Sequence, residues 1–324
     1  MSIEPASLLR TLRADRAISG SDLAVRLGVT RAAVWKQIRG LRALGAPVEA
    51  VAGQGYKLAW PFEALDIDAI RAQLDSSLKR RMRNIAVHWR IDSTNAELLR
   101  NAAAGAPGLS ICLAEMQSAG RGRRGRGWVS PLGANVYFSL LQRFTGGMST
   151  LSGLSLAAGV ALAQALEDCG AAGIGLKWPN DVVVDGRKLA GILIEAGGEF
   201  LGPCFAVIGI GINLRLPEGV DVGQPATDLA RICGGAMPPR NRVVACVASR
   251  LVDALDRFAA DGFGAFAQAY SARDALAGRR IRVQTARDGH DGIADGVDAR
   301  GALRVRHGTA LVAYDSADVS VRAA

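Results

Sequence analysis

Cysteine, histidine and aromatic side chains are scarce in this chain of 324 residues. The five cysteines (Cys112, Cys169, Cys204, Cys233, Cys246) form no CxxC pair and sit in apolar surroundings, so they read as buried reduced thiols and not as a disulfide framework. Three isolated histidines, His88, His290 and His307, supply no ligand cluster, and no metal centre is expected. Aromatic residues make up 5%, which leaves Ala, Leu, Val and Ile to build most of the core. No GxxxxGKS/T run occurs, so any nucleotide chemistry is not of the P-loop kind. Met1 to Arg10 is not followed by an apolar signal core. The longest uncharged stretch, Phe144 to Leu166, is interrupted by Gly146, Gly147, Ser149, Thr150, Ser152 and Gly153, and reads as a loop leading into a buried helix. A soluble cytoplasmic protein with no membrane contact is expected.

What is present is ordinary in bulk. Apolar residues account for 49% and charged residues for 21%, the balance of a folded chain and not of a disordered one. At about 150 residues per domain the length suggests two domains, or three if some are small. The formal net charge of +9 favours a polyanionic partner such as nucleic acid or a nucleotide, without bearing on the fold.

Residues 1–62 read as one compact unit. Leu8, Leu9 and Leu12 put an apolar stripe on a first helix, and Ser21 is expected to cap a second with Leu23, Ala24 and Leu27 on its inner face. After a turn at Gly28-Val29, Thr30 caps a third helix in which Val34, Ile38 and Leu41 keep the helical core period. The opposite face carries Arg31, Lys36, Arg39 and Arg42. Val48 to Val51 and Tyr56 to Leu58, joined through Ala52-Gly53-Gln54-Gly55, predict a hairpin. This is the winged helix-turn-helix layout, whose third helix enters the major groove of DNA. Nine basic against four acidic side chains up to residue 60 suit a phosphate backbone. Thr30, Arg31, Lys36 and Arg39 are the candidate DNA contacts, and Trp35 either packs on the wing or lies against sugar-phosphate. The alternative is a protein-contact module with a solvated charged face.

Trp60-Pro61-Phe62 marks a boundary, because Pro61 cannot continue a strand ladder. In residues 63–271 a short helix with Leu65, Ile70 and Leu74 precedes the basic run Lys79-Arg80-Arg81-Met82-Arg83. Helices are then expected at Asn95 to Asn101, Leu154 to Asp168 and about Arg240 to Ala260. Strands are expected at Ile85 to Trp89, Leu109 to Glu115, Asn135 to Leu141, Asp181 to Val184, Ala190 to Glu195 and Phe205 to Ile212. Strands outnumber helices and tight turns join several, so the segment reads as a mixed sheet backed by helices. Residues 272–324 change to short alternating strands at Arg280 to Thr285, Gly292 to Val297, Ala302 to Arg306, Thr309 to Ala313 and Ser320 to Arg322, expected to close as an SH3-like β-barrel. The fold class is therefore multidomain α+β: winged helix-turn-helix, mixed sheet, small barrel.

Two motifs carry chemistry. Gln117-Ser118-Ala119-Gly120-Arg121-Gly122-Arg123-Arg124-Gly125-Arg126-Gly127-Trp128 places four glycines among four arginines. The glycines let backbone N–H groups approach an anion, the arginines neutralise it, and Trp128 offers a plane for a base. Like charges this dense repel, so the loop is expected to be mobile when empty and ordered by a phosphate or adenylate. An RGG-like RNA segment has similar composition, but this run lies between two predicted strands. The second motif is Lys177-Trp178-Pro179-Asn180-Asp181 followed by Arg187-Lys188-Leu189-Ala190-Gly191, with a hairpin turn at Asp185-Gly186. Strand pairing would bring Lys177 and Lys188 together beside Asn180 and Asp181, where two ammonium groups could neutralise a carboxylate and a phosphate.

Asp92-Ser93-Thr94-Asn95, Gln117 to Trp128, Lys177 to Asp181, Arg187 to Gly191 and Gly209-Ile210-Gly211-Ile212-Asn213, in this order, resemble the biotin–protein ligases (biotin–acetyl-CoA-carboxylase ligases). The winged helix in front makes the chain similar to the bifunctional members that also repress the biotin operon. The resemblance spans all three expected domains and implies a class II synthetase-like catalytic domain. It implies that Ser93, Thr94 and Gln117 hydrogen-bond the ureido ring of biotin, supported by Asn95. Arg121, Gly122 and Arg123 would close over the carboxylate and the α-phosphate, with Lys188 pairing the reacting groups. Trp128, Asn180 and Asn213 would face the adenylate, and Lys177 and Arg126 the ATP phosphates. Lys188, Arg121, Arg123 and Asp181 are thus the implied catalytic set. Biotin and ATP with Mg²⁺ are the implied substrates, and a biotin carboxyl carrier protein and operator DNA the partners. A ligand-promoted homodimer would pair edge strands such as Ile192 to Glu195. A lipoate-type ligase, or a ligand-responsive transcription factor without catalysis, would share many of these features.

Overall fold

The computed structural model describes residues 4–82, 84–217, 219–284, 288–315 and 320–323. Arg83 of the basic run and Thr285 of the predicted strand lie outside them.

The N-terminal unit is a winged helix. Pro5 opens α1 (Pro5–Thr11), where its missing N–H costs nothing. α2 (Gly20–Leu27) is capped by Ser19, whose Oγ accepts from Asp22 N at 3.0 Å, and not by Ser21. The cap falls there because Ile18 exchanges backbone hydrogen bonds of 2.8 and 2.9 Å with Tyr56, so Ser19 is the first residue free to turn into the helix. Thr30 Oγ1 accepts from Ala33 N at 3.2 Å and starts α3 (Arg31–Ala43), as expected. β1 (Val48–Val51) and β2 (Gly55–Leu58) pair as an antiparallel wing. Leu8, Leu9, Leu23, Val34, Ile38 and Leu41 form its core, which also takes in the fully buried Leu132 from far along the chain. Leu132 N donates to Leu44 O at 3.1 Å, and Pro131 lies against Gly45.

Two short helices follow, α4 (Ile67–Ala72) and α5 (Ser76–Arg81). Lys79, Arg80 and Arg81 of the basic run lie in the last turn of α5, where cations favour the helix dipole. The central segment contains β3 (Ile85–His88), α6 (Thr94–Ala103), β4 (Ser110–Ala114), β5 (Asn135–Phe144) and α7 (Leu154–Asp168). β6 (Gly175–Lys177), β7 (Asp181–Val184), β8 (Arg187–Gly198), β9 (Cys204–Asn213), α8 (Leu229–Ile232), α9 (Arg240–Asp261) and α10 (Ala267–Ser271) complete it. Its strands form one seven-stranded sheet in the order β3-β4-β5-β9-β8-β7-β6, with β3 and β4 parallel and every other pair antiparallel.

Alternation decides what each face holds. Val136, Phe138 and Leu140 of β5 and Ile208, Ile210 and Ile212 of β9 point to the main core under α7 and α9. Cys112, Leu141 and Val207 point the other way, to α6 with Leu98 and Ala102. α7 is buried on nearly all sides, which explains its lack of charge before Glu167. Arg240 at the start of α9 forms a buried ion pair with Glu115, and also donates to Asn135 O at 2.8 Å.

β10 (Arg280–Gln284), β11 (Gly289–Val297), β12 (Leu303–His307), β13 (Ala310–Tyr314) and β14 (Ser320–Ala323) form a five-stranded antiparallel sheet in the order β13-β12-β11-β10-β14. Its inward residues Ile281, Val283, Leu303 and Val305 belong to the same core as α7 and α9. The buried Trp178 indole ties the two sheets, donating to Gly301 O at 3.1 Å. Not all cysteines are buried. Cys112, Cys169 and Cys204 are, whereas Cys233, which ends α8, and Cys246 on α9 are half-buried. Among the described residues no helix is long and apolar enough to cross a membrane.

Candidate active site

The register of β5, β9, β8 and β7 writes the floor of a cleft. Tyr137, Gly211, Gly191 and Asp181 lie opposite one another in a row across these strands, on the α6 face of the sheet. Ser139, Gly209 and Leu193 make the next row. Where side chains would otherwise rise, three glycines leave a hollow of about 320 Å³. The hollow is filled from the sides. A Cβ on Gly209 would fall 2.2 Å from Asn95 Oδ1, and one on Gly211 2.4 Å from the Trp128 ring.

One end of the cleft is a network of neutral polar groups at the start of α6. Ser93 is the N-cap of that helix, its Oγ accepting from Ala96 N at 3.4 Å, which leaves its own hydrogen to donate. Gln117 Oε1 accepts from Thr94 N at 2.9 Å and from Thr94 Oγ1 at 3.2 Å. The buried Ser139 Oγ lies 2.7 Å from Thr94 Oγ1 and 2.6 Å from Asn95 Oδ1. Asn95 Nδ2 in turn donates to Glu195 Oε2 at 2.9 Å. Asp92 supports the turn. Its carboxylate accepts from Ser93 N and is clasped by Arg100, which with the Ser93 bond holds its pKa down to about 2.

The other end is cationic. Asp185 and Gly186 both take positive φ (49° and 73°), the two-residue turn that Asp-Gly predicts, and they swing β8 back along β7. This sets Lys188 Nζ 2.7 Å from Asp181 Oδ1, an ion pair whose angles fall short of a hydrogen bond, and 5.4 Å above the Trp128 ring. Asn213 Nδ2 donates to Lys188 O at 3.2 Å. The arginine loop roofs the cleft. Gly122 N donates to Arg126 O at 2.7 Å and Trp128 N to Gly120 O at 2.9 Å, and Arg124 accepts a left-handed φ of 56° to make the turn. Arg123 reaches inward to Asn180 Oδ1 at 3.4 Å, where burial lowers its pKa from the ordinary guanidinium value. Arg121 Nη2 donates to Glu195 Oε2 at 2.9 Å.

The structure therefore brings Ser93, Thr94, Asn95, Gln117, Arg121, Gly122, Arg123, Arg126, Trp128, Asn180, Asp181, Lys188 and Asn213 to a single cleft. Lys177 does not line it. It stands on β6, the outer edge of the sheet, one strand beyond Asp181. Sequence reading missed Ser139 and Glu195, and also the segment Gln224 to Ala226, which runs beside β8 (Lys188 N to Pro225 O, 3.0 Å) and closes the cationic end. On the winged helix Arg31, Lys36 and Arg39 are exposed along α3, while the Thr30 hydroxyl accepts the capping bond and keeps its own hydrogen to donate. Trp35 is 54% exposed, with the Arg39 guanidinium 5.5 Å from its ring centre.

The biotin/lipoate A/B protein ligase family profile matches residues 87–213, which contain nearly all of the cleft, and an HTH domain profile matches residues 6–57. The chain is 37% identical over 323 residues to the bifunctional ligase/repressor BirA of Salmonella typhimurium, covering 99% of this chain and 98% of that protein. It belongs to the bifunctional biotin ligase/repressor family. The catalytic half of this family member also resembles the biotin–[acetyl-CoA-carboxylase] ligase of Paracoccus denitrificans, 40% identical over 225 residues, 67% of this chain and 92% of that one. Among solved structures, the biotin protein ligase of Aquifex aeolicus in complex with biotin and ATP superposes with a TM-score of 0.64 at 25% identity, covering 75% of this chain and all of the other.

Proposed function

We propose that this chain joins biotin to an acceptor lysine of a biotin carboxyl carrier protein through biotinyl-5′-AMP, and represses transcription through its winged helix. One observation carries the reading. A glycine-floored cleft holds neutral donors and acceptors at one end, suited to a cyclic urea, and Lys188, Arg123 and Arg126 at the other, suited to a carboxylate and phosphates.

Charge dictates the mechanism. A biotin carboxylate oxygen attacks the α-phosphorus of MgATP, and the bond to pyrophosphate breaks. Both reactants are anions, so positioning by Lys188, Arg121 and Arg123 supplies most of the rate. Asp181, paired with Lys188, holds the ammonium in place. The mixed anhydride is sensitive to water, and the arginine loop over the cleft shelters it. The acceptor lysine, as free amine, then attacks the carbonyl carbon, the bond to phosphate breaks, and AMP and a proton depart. Magnesium enters as part of the nucleotide substrate, held by phosphate oxygens.

Ser93, Thr94 and Gln117 take the ureido ring in this reading, supported by Asn95; Gly122 closes with Arg121 and Arg123 over the carboxylate and the α-phosphate, and Trp128, Asn180, Asn213 and Arg126 face the nucleotide. Lys177, opposite Asp181 on β6 at the rim of the cleft, is left to the ATP phosphates. The loop from Arg121 to Gly127 orders on the adenylate. Among the described residues the stretch of β8 beyond Ile192 has no strand on its β7 side, which supports pairing of two subunits there once ligand is bound. A dimer would present two α3 helices, with Arg31, Lys36 and Arg39 outward, to a palindromic operator. Three units, 1–62, 63–271 and 272–324, share this work, the last read as an SH3-like barrel on the strength of its five short antiparallel strands. A cytoplasmic location suits both proposed partners.

The test is mass spectrometry of a biotin carrier domain after incubation with this protein, biotin and MgATP. A biotin-sized gain at one lysine is expected. No gain, together with no biotin-dependent ATP/pyrophosphate exchange, would leave only the transcription-factor reading, and labelling of a lipoyl domain with lipoate instead would make it a lipoate ligase. A gel shift on DNA upstream of biotin-synthesis genes, enhanced by biotin plus ATP, tests repression.

A further inference from the structure

Two of the cations in the cleft rest on internal carboxylates. Lys188 rests on Asp181, and Arg121 rests on Glu195. The two pairs differ in place. Lys188 Nζ lies beside Gly191, and four residues of extended strand, about 13 Å, separate Gly191 from Glu195. Arg121 is therefore parked at the far end of the cleft from the groups that would receive the reacting carboxylate and phosphate. The same Glu195 oxygen, Oε2, takes both Arg121 Nη2 and Asn95 Nδ2 at 2.9 Å, so one anionic atom joins the arginine loop to the polar network around Thr94 and Gln117. Its surroundings keep the hold weak, because the side chains are 43% and 26% exposed.

We propose that Glu195 is a positioning residue that latches Arg121 and yields it to the substrate's carboxylate. This rests on the ligase reading. Glu195 carries the charge that the substrate later supplies, and the bound molecule must displace it. A site that is competent only when the latch is open shows an apparent affinity reduced by the fraction of time it is closed. Exposed pairs of this kind shift an equilibrium by about two- to fivefold, and the latch should do the same.

Biotin-dependent ATP/pyrophosphate exchange in the full chain tests it. Glu195→Gln keeps an oxygen for Asn95 and removes the charge that holds Arg121. It should lower the KM for biotin about two- to fivefold at constant kcat, with an unchanged melting temperature. The gain should vanish when Glu195→Gln is made in an Arg121→Gln background, because nothing is then left to release. An unchanged or raised biotin KM in Glu195→Gln, or the same fall without Arg121, overturns the latch while leaving the ligase intact. Absence of exchange in the wild-type chain removes the ligase reading, and the latch with it.

Discussion

Gly211→Ala places one methyl group where the structure has no room for it. The new Cβ would lie 2.4 Å from Trp128 Cε2 and 2.5 Å from Cζ2, and the far side of the indole is already 3.0 Å from where a Cβ on Gly191 would stand. Carbon atoms settle at about 3.5–4.0 Å, so the ring must retreat by at least about 1 Å. β9 is a central strand and does not give way. The indole moves instead, taking with it the plane under Lys188 Nζ and the end of the arginine loop. Overpacking of this size costs about 1–3 kcal/mol. Because the ring can swing into the open cleft, the cost should appear in ligand binding more than in folding. At 1.4 kcal/mol per decade the adenylate should escape about 5- to 150-fold faster. The assay is the half-life of bound biotinyl-5′-AMP without acceptor protein, with Gly264→Ala, whose Cβ would meet nothing within 4 Å, as control. A Gly211→Ala half-life within twofold of wild type would refute the placement of Trp128 over the nucleotide end.

Three further outcomes follow from the same geometry. Arg240→Met leaves the Glu115 carboxylate buried and unpaired, and should cost about 3–5 kcal/mol in urea unfolding; a loss below about 1 kcal/mol contradicts the buried pair. Hydrogen bonding from Cys169 and the nearby Arg242 charge lower the Cys246 pKa below the ordinary thiol value, while burial raises Cys112 to about 12. Iodoacetamide at neutral pH should therefore modify Cys246 first by mass spectrometry, and equal labelling of Cys112 would count against the pair. Asp92, with its folded pKa near 2, contributes stability that is fully present above the ordinary carboxylate value and is lost as pH falls through the folded one. With the Asp92–Arg100 pair half exposed, Asp92→Asn should cost less than about 1 kcal/mol at neutral pH. The difference from wild type should disappear between about pH 4 and 2, and one that persists at pH 2 would assign the effect elsewhere.

Local chemistry was legible in the sequence wherever one or two residues decide the backbone. Asp185-Gly186 takes the expected hairpin turn, Thr30 caps α3, and α7 runs from Leu154 to Asp168 as its apolar stretch predicts. The cap of α2 was misplaced by two residues because Ser19 and Ser21 are equally suitable, and only the pairing of Ile18 with the distant Tyr56 chooses between them. The cleft residues were found by motif, but their arrangement was not. That Gly191, Gly209 and Gly211 share a floor depends on the register of three strands, which no local signal fixes. Glu195 resembles any polar residue near a strand end until Arg121 and Asn95 meet it. Lys177 stands opposite Asp181 on the outermost strand, a placement that the pairing of β6 with β7 decides and the motif by itself does not.

Leu132 has a bearing on how this chain can be taken apart. It sits four residues past Trp128, yet its side chain completes the hydrophobic interior of the winged helix. A cut after residue 62 would not follow a natural seam. It would strip the cover from Leu132 and Pro131 and leave a greasy knob on the stalk that carries the tryptophan. A ligase shortened in that way is a different enzyme at its roof, and its kinetics would report the missing neighbour as much as the chemistry that remains.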